Sequence, residues 1–109
     1  MPKDTLGEFE HQVLLAVLRL GGEAYSVPLV LELEERTGRE VAQAAVFIAL
    51  RRLEARGLLT SRFDDHAVPE TGRTRRYFAL TPEALRRLKD TRRALVRLWE
   101  GLDWKLDEA

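Results

Sequence analysis

The chain of 109 residues contains no cysteine. That excludes disulfides, thiolate metal sites and cysteine nucleophiles. No apolar run approaches membrane-spanning length, and the N-terminus has no basic segment followed by an apolar one. The expectation is therefore a cytoplasmic protein without a membrane partner. An excess of either charge is also missing, because 18 basic and 18 acidic side chains cancel, and at first sight this speaks against nucleic acid. The sequence shows no nucleophile–base pair, metal cluster or phosphate-cradling glycine loop, so neither an enzyme nor a cofactor or metal is expected. His11 has Leu14, Leu15 and Leu18 as its helical neighbours, which suits packing or surface. His66, near Asp64 and Asp65, lacks the helical or tight-turn spacing of metal ligands.

What is present is enough for a folded domain. The residues are 45% hydrophobic and 33% charged, which supplies a core and argues against disorder. The length predicts one domain, with an element left over for a partner. The charge is also unevenly spread. Residues 1–40 carry 4 basic and 8 acidic groups, 41–80 carry 7 and 4, and 81–109 carry 7 and 6. Positive charge is thus concentrated in the middle third, the stretch with the most to say about function.

In Val41 to Ser61 the apolar residues Val46, Ala49, Leu50 and Leu53 recur at helical spacing. Gly57 stops the pattern as a C-terminal glycine does, and Leu58-Leu59 begins an extended run. A short helix that ends at glycine and runs into a strand is the helix-to-wing junction of a winged helix-turn-helix, whose helix is offered to the DNA major groove. With Val46, Leu50 and Leu53 inward, Gln43, Ala44, Phe47, Ile48 and Arg51 face outward and Arg52 lies to one flank. Gln43 suits adenine, Arg51 suits guanine, and Phe47 and Ile48 suit a thymine methyl.

Two helices are predicted upstream. The first covers about Leu6 to Leu20, with Phe9, Val13, Ala16, Val17 and Leu20 on one face, and Gly21-Gly22 ends it. The second covers about Val27 to Thr37, capped by Ser26, with Leu29, Val30 and Leu33 buried and Gly38 at its end. Tyr25 either packs on the domain or offers its hydroxyl to a phosphate. Downstream, Leu58 to Phe63 and Thr74 to Leu80 read as strands joined by a polar loop from Asp64 to Arg73. Arg73, Arg75 and Arg76 on the return limb suit DNA backbone contact.

The chain also resembles a known family. Ala45-Val46-Phe47, Leu50, Arg52-Leu53-Glu54 and Gly57-Leu58-Leu59, followed by Arg75-Arg76-Tyr77-Phe78 and Leu80-Thr81-Pro82-Glu83, are similar in order and spacing to the PadR family of bacterial transcriptional regulators. The start, from Leu6-Gly7-Glu8-Phe9-Glu10 to Leu20, is similar to short PadR-like proteins. The likeness covers roughly residues 5 to 90. The family pattern has serine or threonine before the third helix, glycine near Ala44 and tyrosine at Phe47. Here Ala42, Ala44 and Phe47 stand in those places.

Thr81-Pro82-Glu83 is a helix start, combining a cap, a proline in the first turn and an acid. The last helix is predicted to run to about Leu102 or beyond. Leu85, Leu88, Arg92, Leu95, Trp99, Leu102 and Leu106 alternate at spacings of three and four, a coiled-coil-like seam in which only Arg92 is polar. So small a body cannot bury that seam alone, so it predicts a homodimer. The resemblance implies the same, since PadR-like proteins dimerise through C-terminal helices. In some relatives the dimer interface holds a planar hydrophobic effector against aromatic residues, which makes Trp99 a candidate contact for such a partner.

The expected fold is mainly α with a small β-hairpin: a winged helix-turn-helix over residues 1–80 plus a long C-terminal dimerisation helix over 81–109. The expected function is sequence-specific regulation of transcription as a homodimeric repressor. Two recognition helices would read an inverted repeat in double-stranded DNA with half-sites about one helical turn apart. A second class stays open. Zero net charge and the missing hydroxyls also suit a winged-helix dimer that uses Ala44, Phe47 and Ile48 as a protein-interaction face.

Overall fold

The computed structural model describes residues 6–67 and 74–108. Three helices form the body: α1 (Glu8–Arg19), α2 (Ser26–Thr37) and α3 (Gln43–Ala55). Each presents one apolar stripe to the others, and the core they build includes Val13, Leu14, Leu29, Val46, Leu50 and Leu53, all fully buried. The stripe of α1 differs slightly from expectation. Leu14 is buried, whereas Phe9 and Leu20 are only partly so.

The sequence prediction of two strands misses a third. β1 (Glu23–Ala24), β2 (Leu59–Ala67) and β3 (Thr74–Leu80) form one antiparallel sheet in the order β1-β3-β2. Two residues are too few to display alternation, so β1 had no pattern to show. Ala24 pairs with Phe78 across β3, and the Leu80 amide donates to Gly22 O at 2.9 Å. β2 runs to Ala67 rather than ending at Phe63, which puts the backbone of Asp64, Asp65 and His66 in a strand rather than a loop. A register irregularity between Phe63 and Ala67 accommodates the longer limb. Residues 68–73, which include Arg73 and most of the expected loop, lie outside the described residues.

Helix ends differ in their chemistry. Thr81 Oγ1 accepts from the Ala84 amide at 3.2 Å with Pro82 in the first turn, as its sequence predicts. Ser26 is not the cap of α2. Tyr25 occupies that position without a side-chain cap bond, and the Ser26 hydroxyl instead accepts from Gln43 Nε2 at 3.2 Å, linking α2 to α3. Gly38 and Gly57 take left-handed backbone with φ of 72° and 78°, which is why both helices stop there.

The C-terminal helix departs most from expectation. α4 (Pro82–Trp99) is separated from α5 (Asp103–Glu108) by a break. Glu100 leaves helical geometry with ψ of 123°, and Gly101 has φ of 77°. Gly101 is a stop that the heptad spacing concealed. Leu88 is a second correction: with Ala84 it is buried in the protomer's own core, because the row Ala84–Leu88–Thr91 faces the body where α4 crosses α1. From Arg92 to Trp99 every residue of α4 is exposed. The molecule is accordingly elongated, 54 Å by 28 Å by 25 Å. Among the described residues, no helix is long and apolar enough to cross a membrane.

Candidate nucleic-acid interface

Helix α3 buries Val46, Ala49, Leu50 and Leu53, and helical periodicity then exposes the opposite side. Gln43, Ala44, Phe47, Ile48, Arg51 and Arg52 are all exposed. The two margins of this face differ. Gln43 and Phe47 border a cleft of about 650 Å³ shared with Tyr25, Ser26, Phe63, Thr74, Arg75 and Arg76, so they look toward the wing. Ile48 and Arg52 border a second depression beside Gly7 and Glu8 at the start of α1.

Phe47 is less available than a free outward side chain. Its ring meets the buried Phe78 edge-on at 6.1 Å, and the Arg51 guanidinium lies 6.0 Å from its centroid. It therefore packs on the domain's own sheet while keeping 36% of its surface exposed. A large apolar residue here is explained in part by that aromatic contact.

Strand alternation divides the wing arginines between two faces. On one face Tyr77, opposite Arg62, stands beside Arg75. The Arg75 guanidinium lies 4.6 Å from the Tyr25 ring, Tyr25 meets Tyr77 edge-on at 5.4 Å, and Arg62 lies 4.8 Å from the Tyr77 ring. Arg62 is held in turn by both oxygens of Glu23, at 2.9 Å and 3.0 Å. A hydrogen bond to Tyr77 and the nearby Tyr25 oxygen raise the pKa of Arg75, which stays charged and exposed. The hydrogen bond from Arg62 holds Glu23 below the ordinary carboxylate range. Tyr25 is thus a packed residue on which Arg75 rests.

On the other face Arg76 does not reach outward with Arg75. It donates to Glu54 Oε1 at 2.9 Å and to Ser61 Oγ at 3.1 Å, and Ser61 Oγ donates to Glu54 Oε2 at 2.6 Å. The Ser61 hydrogen bond, with help from the Arg76 charge and against the cost of burial, lowers the Glu54 pKa. Arg76, expected at the DNA backbone, is engaged by these partners within the chain. Neither Glu54 nor Ser61 was legible as a partner, since they stand 22 and 15 residues from Arg76.

Residues 14–90 match the transcriptional regulator PadR-like family. The chain belongs to that family. It is 29% identical to a PadR family transcriptional regulator from Eggerthella lenta, with 89% of this chain and 82% of that chain covered and a TM-score of 0.69. Its fold is also that of a PadR family transcription regulator from hypervirulent Clostridium difficile, at 19% identity, 88% and 97% coverage and a TM-score of 0.70. A winged-helix DNA-binding protein from STIV shares the fold at 11% identity, 84% and 91% coverage and a TM-score of 0.65. No curated protein sequence matches. This PadR-family regulator therefore has a winged-helix DNA-binding fold, and its family consists of transcription factors rather than enzymes.

The C-terminal residues expected at a dimer seam are divided. Leu85, Arg92, Leu95, Trp99 and Leu102 are exposed, whereas Leu88 is not. Val96 and Leu98 are exposed as well and widen the apolar surface beyond the expected row. Phe63, 60% exposed on the wing, was also missed, although alternation with Ser61 places it on the α3 side.

Proposed function

We propose that this PadR-family protein is a homodimeric, sequence-specific repressor that reads an inverted-repeat operator. The observation that carries the reading is that Gln43 and Phe47 of α3 and Arg75 of the wing border one cleft. Base-edge donors and backbone-seeking charge then meet a duplex from the same side. Gln43 pairs with adenine, Arg51 pairs with guanine, and Phe47 and Ile48 meet thymine methyls. Arg52, Arg75 and Arg73 contact backbone, with Tyr25 beneath Arg75. The division of labour is a reading head over 1–80 and a dimerising segment over 81–109. In the latter, Leu85, Leu95, Trp99 and Leu102 meet a second copy and Arg92 pairs with a carboxylate across the seam. A small planar hydrophobic effector held at Trp99 would act by changing the separation of the heads, through differential affinity for the two arrangements.

Selection from a pool of random duplexes at two salt concentrations tests this. An inverted repeat whose affinity falls steeply with salt is the expected result. The exposed trio Phe47, Ile48 and Phe63 favours a second reading, a protein-interaction module. That reading gains if no duplex is enriched at either salt.

A further inference from the structure

Among the described residues, the Arg76 guanidinium is engaged by both α3 and the wing strands. Besides its bonds to Glu54 and Ser61, it lies 5.3 Å from the Phe63 ring and 5.2 Å from the Phe78 ring. Its side chain retains 23% exposure and that of Glu54 29%, so the pair is partly withdrawn from water. Glu54 stands in the last turn of α3, Ser61 on β2 and Arg76 on β3. Between α3 and β2 the chain has only Arg56, Gly57 and Leu58, with Gly57 in the left-handed region. That connection is the pivot about which a wing would swing, and the three side chains bridge it.

We propose that Glu54, Ser61 and Arg76 form a clamp that sets the angle and reach of the wing relative to the recognition helix, which makes Arg76 a positioning residue. The inference rests on the DNA-binding reading above. Arg75 and Arg76 leave β3 on opposite faces, and although both border the cleft beside α3, Arg76 is turned to a carboxylate of α3. Arg76 would have to abandon that hydrogen-bonded carboxylate to meet a phosphate, whereas Arg75 is already exposed. The clamp continues into the reading face through Phe78, whose ring meets Phe47, which in turn lies beneath Arg51. The spacing between base contacts from α3 and backbone contacts from the wing is therefore a property of Glu54, Ser61 and Arg76. Loosening the clamp costs affinity without removing a phosphate contact.

The variants Glu54→Gln, Arg76→Gln and Arg76→Lys separate this from direct contact. The clamp predicts that Glu54→Gln weakens binding to the selected duplex about tenfold although it adds positive charge. It also predicts that Arg76→Gln leaves the slope of log affinity against log salt unchanged, and that Arg76→Lys recovers part of the loss. If Arg76 contacts phosphate, Glu54→Gln frees it and binding stays equal or tightens, while Arg76→Gln lowers the slope by about one. Either result overturns the clamp. Hydrogen exchange on the free protein gives a readout that needs no DNA. In Glu54→Gln the Arg62 and Tyr77 amides, which face each other across the β2–β3 ladder, should exchange several-fold faster, with α1 to α3 unchanged. Unaltered wing exchange sinks the clamp even if the protein binds no duplex, a failure that counts separately against the repressor reading.

Discussion

The head and the C-terminal segment use the same sequence device and end differently. In the head, apolar residues at spacings of three and four close on one another, and Val13, Leu29, Leu50 and Phe78 reach zero exposure. Among the described residues, no buried side-chain nitrogen or oxygen there lacks a partner. Beyond Thr91 the same spacing continues, yet Leu95, Val96, Leu98, Trp99, Leu102 and Leu106 stay in water. Periodicity states that a helix has an apolar face and is silent on what lies across from it. Leu88 shows this within one helix, because its heptad partners Leu85 and Leu95 are exposed while it is spent in the head.

The comparison can be broken most forcefully in the core. Leu50→Ala should cost about 2–5 kcal/mol through lost burial and a residual cavity, read as a lower urea midpoint. Leu95→Asp is next. It should give monomers in analytical ultracentrifugation with much reduced operator affinity, while the thermal midpoint of the head barely moves. A head that melts would show that α4 beyond Thr91 supports the core as well, and a fully active dimer would sink the seam. Arg51→Ala should cost about 1–3 kcal/mol at one base position. Uniform weakening across operator variants would mean that it touches only phosphate. Thr81→Ala, at the joint of the two regions, should cost about 1 kcal/mol by removing the α4 cap.

Acid should have the smallest effect. Glu23, Glu32 and Glu54 titrate below the ordinary glutamate range in the folded chain, held there by hydrogen bonds from Arg62, Arg19 and Ser61 respectively. The unfolded chain therefore takes up these protons first. The stability they contribute is whole above the ordinary glutamate range and is lost as pH falls through the lowered folded values. All three lie near the surface, where water weakens such pairs. Urea midpoints should drop modestly on acidification, and less in Glu54→Gln than in the unaltered chain.

Much of the head was legible because its signals are local. Val46, Leu50 and Leu53 announced α3, Gly38 and Gly57 the ends of α2 and α3, and Thr81-Pro82 the start of α4. Each depends on backbone geometry or spacing within a few residues. β1 was illegible for want of length, and the far end of the C-terminal helix because one glycine lay inside a regular heptad pattern. The Ser26 cap failed for a different reason, since its hydroxyl meets Gln43, 17 residues away.

By itself the sequence determined the three helices of the body, the two longer strands and the start of α4, which face of α3 would be apolar, and that positive charge would gather at α3 and the wing. Those properties follow from chemistry along a continuous stretch of chain. Only the tertiary structure decided that Arg75 lies exposed on Tyr25 while Arg76 is bound to Glu54, and that Leu88 belongs to the head. Such assignments depend on which distant residue the fold brings within about 3–4 Å, the range over which hydrogen bonds and packing contacts act, and one-dimensional spacing carries no record of that.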